Sequence, residues 1–120
     1  MKGLQIETSQ QEEYSRIHEF GEWAVAIVRD SEKYHLTPRG RMEKHPQTDQ
    51  CFVLLRGSAT LYIGPEMKAQ PMETEYVYTI EHDTWYCFTT VPGTAILVVE
   101  NADTTIENSV YWDDVKGKLE

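Results

Sequence analysis

Seven short runs of strand-forming residues, cut apart by tight-turn signals, constrain this chain more than any other feature it carries. The runs are Trp23–Val28, Cys51–Leu55, Ser58–Ile63, Tyr76–Ile80, Thr84–Thr90, Thr94–Val99 and Ser109–Trp112. They are rich in β-branched and aromatic residues, which favour a pleated, half-buried surface. Arg56-Gly57-Ser58, Gly64-Pro65, Pro92-Gly93 and Asn101-Ala102-Asp103 supply the turns between them. Several of these strand signals recur at roughly 8–12-residue intervals, the spacing of a sandwich or barrel. No long stretch has helical periodicity. Gln10–His18 is expected to form at most one or two helical turns, with Ser9 as N-cap. Pro65–Thr74 reads as the longest loop.

A length of 120 residues predicts one domain spanning the chain, large enough to hold one core. The formal charge is −9, so most of the surface would repel a polyanion. Nucleic acid and anionic membrane surfaces are therefore not expected as partners. Met1–Tyr14 is polar and lacks the apolar core of a secretory leader, which predicts a cytoplasmic protein. The longest unbroken apolar run, Trp23–Val28, is far shorter than the roughly 20 residues of a membrane helix. Cys51 and Cys87 form no metal or redox spacing pattern and are expected as buried thiols.

The chemistry gathers in two segments. The first is Glu43-Lys44-His45-Pro46-Gln47-Thr48-Asp49-Gln50, running into Cys51-Phe52-Val53-Leu54-Leu55-Arg56-Gly57. The second is Glu81-His82-Asp83-Thr84-Trp85-Tyr86, followed by Pro92-Gly93 and the apolar run ending at Glu100. Over roughly residues 40–101 they resemble the two motifs of the cupin superfamily. The resemblance implies an all-β, cupin-type jelly-roll barrel, the double-stranded β-helix. Anchored on Gly57, the family's first motif places its two His slots on Glu43 and His45 and its Glu slot on Gln50. The second motif's His slot falls on Tyr86.

Side chains two apart on a strand share a face. Glu43 thus goes with His45; Gln50 with Phe52 and Leu54; Tyr86 with Thr84 and Phe88. Turned inward, they make a pocket with aromatic walls and a few converging polar groups. The expected ligand-pocket residues are Glu43, His45, Gln50, Phe52, Tyr86, Phe88 and Arg41. Arg41 has the parity of Glu43 and is a candidate clamp for an anion at the mouth. Each also has an ordinary role available: a hydrogen-bonded structural histidine, a rim charge, a core amide, a core aromatic. Trp85, of opposite parity, is expected to pack outside the pocket.

Family members typically hold a divalent metal with three His and one Glu. Of that set only His45 remains, Gln50 is a poor ligand, and Tyr86 would have to lose a proton with a pKa near ~10. No cofactor is expected. A weak divalent metal would have only Glu43 and His45.

Three functions stay open. One is a metal-free barrel binding a small molecule such as a sugar or an organic acid. Another is an isomerase, epimerase or lyase using acid–base groups, for which a buried His45 with a shifted pKa beside a carboxylate would speak. The third is an interaction protein with a filled barrel. The runs Trp23–Val28, Cys51–Leu55 and Ala95–Val99 are apolar at both parities, and one barrel interior covers only one face. A homodimer is therefore expected, through a sheet face or N-terminal strand exchange.

Overall fold

Most of the strand runs pair as antiparallel ladders in the computed structural model, which describes residues 1–36, 41–104 and 109–111. The described strands are β1 (Glu13–Phe20), β2 (Trp23–Arg29), β3 (Glu43–Lys44), β4 (Gln50–Arg56) and β5 (Ala59–Ile63). They continue as β6 (Lys68–Pro71), β7 (Tyr78–Ile80), β8 (Tyr86–Thr90), β9 (Ala95–Asn101) and β10 (Val110–Tyr111). Two five-stranded sheets result, in the orders β1-β2-β9-β4-β7 and β10-β3-β8-β5-β6. This is the all-β jelly roll that the sequence predicts. Trp112 lies outside the described residues.

Strand alternation decides what fills the space between the sheets. On β4 the buried residues are Gln50, Phe52 and Leu54; on β9 they include Ile96, Val98 and Glu100. Tyr86 of β8 and Leu61 of β5 meet them from the opposite sheet. Burying a side chain of the size of Leu or Phe contributes about 1.5–3 kcal/mol, so this interior is the main source of stability. A second cluster, Met42, Trp85 and Cys87, packs away from it with Met67 and Val110. Trp85 is thus a packing residue, as its parity predicts.

Gly57 closes the β4–β5 turn at φ +86°, where L side chains are strained. A Cβ there would stand 2.6 Å from Thr94 Cα. That close approach lets Ser58 N–H donate to Thr94 Oγ1 at 3.0 Å while Thr94 Oγ1 donates to Ser58 O at 2.9 Å.

Two local expectations are corrected. Gln10–His18 does not form helical turns: from Glu13 onward it is β1, paired with β2 through a bulge between Arg16 and His18. The local helical tendency loses to a full ladder and to inward bonds from Tyr14 and Arg16 that no local pattern reveals. Ser9 Oγ does accept from the Gln11 N–H at 3.2 Å, but in a bend that leads into a strand. The expected loop Pro65–Thr74 contains β6, an exposed edge strand. Lys68-Ala69-Gln70-Pro71 shows no apolar alternation because neither of its faces is buried, and Pro71 is tolerated because the strand is an edge.

Candidate functional site

The open end of the barrel holds a cavity of about 630 Å³. Part of the interior is thus open, while Leu54, Leu61 and Ile96 pack the rest. All seven expected pocket residues, Arg41, Glu43, His45, Gln50, Phe52, Tyr86 and Phe88, line it. Phe52 stands 5.7 Å from Tyr86 and 6.3 Å from Phe88 between ring centroids, and Tyr34 stands 4.8 Å from Phe88. These rings form the apolar wall.

Two polar groups of atoms face it. The first runs along one line. Ser109 Oγ lies 2.9 Å from His45 Nδ1, His45 Nε2 lies 3.1 Å from the Tyr86 hydroxyl, and that hydroxyl lies 3.3 Å from Glu43 Oε1. Both ring nitrogens of His45 are thereby engaged. Glu43 and Tyr86 are partners across the β3–β8 ladder, which sets their proximity. Burial pushes the Glu43 carboxyl up, partly opposed by the Tyr86 hydrogen bond. Burial also pushes His45 down, and it raises Tyr86 well above the ordinary phenol range with the Glu43 and Glu100 charges adding to it. His45 and Tyr86 are accordingly neutral near pH 7. Glu43 is the most exposed of the three, its side chain 27% accessible against 9% for His45.

The second group centres on Glu100, whose side chain is 2% accessible. Its Oε2 accepts from Gln50 Nε2 at 2.9 Å, and Oε1 accepts from the Tyr14 hydroxyl. Arg16 Nη2 stands 3.9 Å from Oε1. Burial and the bond to Glu100 push the Tyr14 hydroxyl up to about 12. Gln50 Oε1 is buried and has no hydrogen-bond partner among the described residues.

Arg41, the expected anion clamp, has one nitrogen engaged by the backbone, and its Nε is buried without a partner among the described residues. Its Nη2 donates to Phe88 O at 3.0 Å and to Leu36 O at 3.3 Å, and its guanidinium carbon lies 5.6 Å from the Tyr34 ring centre. It ties the mouth of the barrel together. His18, His35 and His82 are exposed and do not line the cavity. Cys51 is half-buried beside Thr79, and Cys87 belongs to the outer packing cluster.

The donor set does not fit the metal of typical cupins. Among the described residues no group of three or more His, Cys, Asp or Glu is arranged to hold an ion. The remaining slots are occupied by an amide fixed on Glu100 and a phenol that keeps its proton.

Sequence reasoning missed Glu100, Tyr14, Tyr34, Lys33, Ser109 and others that line the cavity. For Glu100 a signal existed: it continues the inward series Ile96, Val98 on β9 and pairs in register with Gln50. Tyr14 had none, because its segment did not read as a strand.

No family model matches the chain, and neither does any curated protein. Solved structures do. KdgF from Halomonas sp. is 12% identical with a TM-score of 0.59, over 76% of this chain and 78% of that one. A cupin protein from Bacteroides fragilis is 15% identical with a TM-score of 0.61, over 88% and 90%. Pac13, described as a nucleoside dehydratase, is 9% identical with a TM-score of 0.61, over 87% and 91%. At these identities the likeness speaks for the architecture: this chain has the cupin fold.

Proposed function

We propose that this chain binds a small molecule in its barrel and moves a proton on it, as an isomerase, epimerase or lyase does. One observation carries the proposal: a buried imidazole, a buried phenol and a carboxylate with a raised pKa stand in hydrogen-bonding succession on the wall of a cavity. Groups of that kind give typically 10²–10⁴-fold in rate per proton transfer. Glu43 is the one with access to a ligand, and its shifted carboxyl is suited to take a proton from carbon or to give one to a departing hydroxyl. In an elimination the C–H electron pair becomes the new double bond and the hydroxyl leaves as water with that proton. Tyr86 and His45 hold Glu43 in place. The dehydratase activity stated for Pac13, which shares the fold, agrees with this class of reaction.

A binding-only barrel, a sensor or carrier, is the second reading. It is favoured by the engagement of both His45 nitrogens inside the protein. Deuterium exchange separates the two. The protein would be incubated in D₂O with a panel of neutral sugars and nucleosides, and proton NMR would follow loss of C–H signals or release of water. Turnover that falls by about 10²-fold or more in Glu43→Gln supports catalysis. Binding with no exchange and no elimination leaves the carrier.

We further propose that two copies pair through the outer face of the first sheet. Trp23, Leu55 and Val99 are 46%, 47% and 37% exposed there, on neighbouring strands.

A further inference from the structure

The cavity has a chemical bias that its fold does not dictate. One wall of its polar lining presents acceptors. Glu100 offers two carboxylate oxygens, Oε2 accepting from Gln50 and Oε1 from Tyr14 with Arg16 Nη2 3.9 Å away, and a carboxylate has about four lone-pair sites. Glu43 offers two more oxygens, one of them in a single long hydrogen bond. Gln50 is 95% buried on the same wall, with its amide nitrogen fixed by Glu100 and its Oε1 unpartnered among the described residues. A ligand that brings hydrogen-bond donors satisfies these atoms; one that brings more acceptors does not.

Charge on the ligand is penalised in either sign. Glu100 and Glu43 lie inside the cavity with little water to screen them, so an anion meets like charge at close range. Arg41 offsets this only in part: its Nη2 is held by two backbone carbonyls and its plane by Tyr34, while its Nε is buried without a partner among the described residues. Lys33 is engaged as well, 2.7 Å from Glu13. Both cations line the cavity beside the two carboxylates, so a ligand charge of either sign finds no net opposite charge to repay its lost hydration. The rings of Tyr34, Phe52, Tyr86 and Phe88, tilted against one another, complete the lining with an apolar wall suited to a ring.

We propose that the barrel takes an uncharged ring ligand rich in hydroxyl or N–H donors, and that Glu100 is the residue that sets this preference. The inference rests on the small-molecule reading above and narrows it: of the sugar and the organic acid expected from the sequence, it selects the first. Glu100 is a specificity residue here, not the group that moves the proton.

The full chain, isotopically labelled, would be titrated with matched probes: D-glucose, D-glucuronate and D-glucosamine, then uridine and uridine 5′-phosphate. Amide and side-chain shifts of Gln50 and the cavity aromatics report binding. The expected result is that each neutral probe binds at least about tenfold more tightly than its charged counterparts, a difference of about 1.4 kcal/mol. Glu100→Gln should bring the anions to within about threefold of the neutral probes, chiefly by tightening the anions. Tyr14→Phe, which frees a lone pair on Glu100 without removing its charge, should keep or widen the discrimination, and it serves if Glu100→Gln does not fold. Tighter binding of glucuronate or uridine 5′-phosphate, or of glucosamine, overturns the inference while the small-molecule reading stands. If no probe of any charge perturbs the cavity, both fall together.

Discussion

Gln50 and Glu100 face each other across the β4–β9 ladder, and the amide of one donates to the carboxylate of the other at 2.9 Å. The pair puts a buried negative charge beside an amide whose own acceptor is unused. Removing the donor leaves the carboxylate with the Tyr14 hydroxyl and the distant Arg16 alone. Gln50→Leu is expected to cost about 1–3 kcal/mol, the usual consequence of stranding a buried acceptor. Urea unfolding of the variant against the parent measures it; an unchanged midpoint would mean that water or another donor reaches Glu100.

Gly57 gives a sharper contrast. Gly57→Ala meets both the positive φ and a Thr94 backbone atom 2.6 Å from the new Cβ. Gly93→Ala meets a similar φ of +89° but has nothing within 4 Å. The second should lose about 1–2 kcal/mol, from backbone conformation alone. The first should lose more than about 2 kcal/mol, because overpacking is added. Thermal melts of the two variants side by side decide it, and equal losses would refute the close approach.

His45 supplies a pH dependence. Burial lowers its folded-state pKa below the ordinary value near ~6.5, so the unfolded chain takes up the proton first. The stability contributed by a neutral His45 is complete above about pH 6.5 and declines as pH falls through the folded pKa. His45→Gln should flatten the stability profile on the acid side of pH 6.5 relative to the parent. Denaturant midpoints between pH 7 and pH 5 test this, and parallel profiles for the two proteins would contradict it.

Assembly is decided by mass. Pairing through the outer face of the first sheet predicts a species of twice the 13.9 kDa chain in sedimentation at micromolar concentration. Val99→Glu, at the centre of that face, should return it to one chain mass. A parent protein that sediments as a single chain would remove the proposal.

The architecture was legible because its signal is local. Strand-forming runs mark β4 and β9 without any knowledge of the partner strand, and Gly57 marks its turn by composition alone, but both runs are apolar at both parities and do not by themselves say which side faces in. Four of the seven expected pocket residues, Glu43, His45, Gln50 and Tyr86, followed from motif spacing, and the structure places all four on the cavity. What was not legible depends on pairing at a distance. Tyr14 and Glu100 are 86 positions apart, and nothing near either residue announces the other. Arg41 shows the opposite limit. Its parity directs it correctly to the cavity, but parity is silent about the carbonyls of Leu36 and Phe88 that engage it there.

The bond from Tyr14 to Glu100 reaches from β1, at the rim of the first sheet, over β2 to β9. Edge strands are ordinarily the first part of a sheet to fray. Here the rim is moored to the floor of the cavity, so whatever settles on Glu100 changes the tension on that mooring. Amide exchange along Glu13–Phe20 should therefore slow when the cavity fills, making the outermost strand a gauge of events at the centre of the barrel.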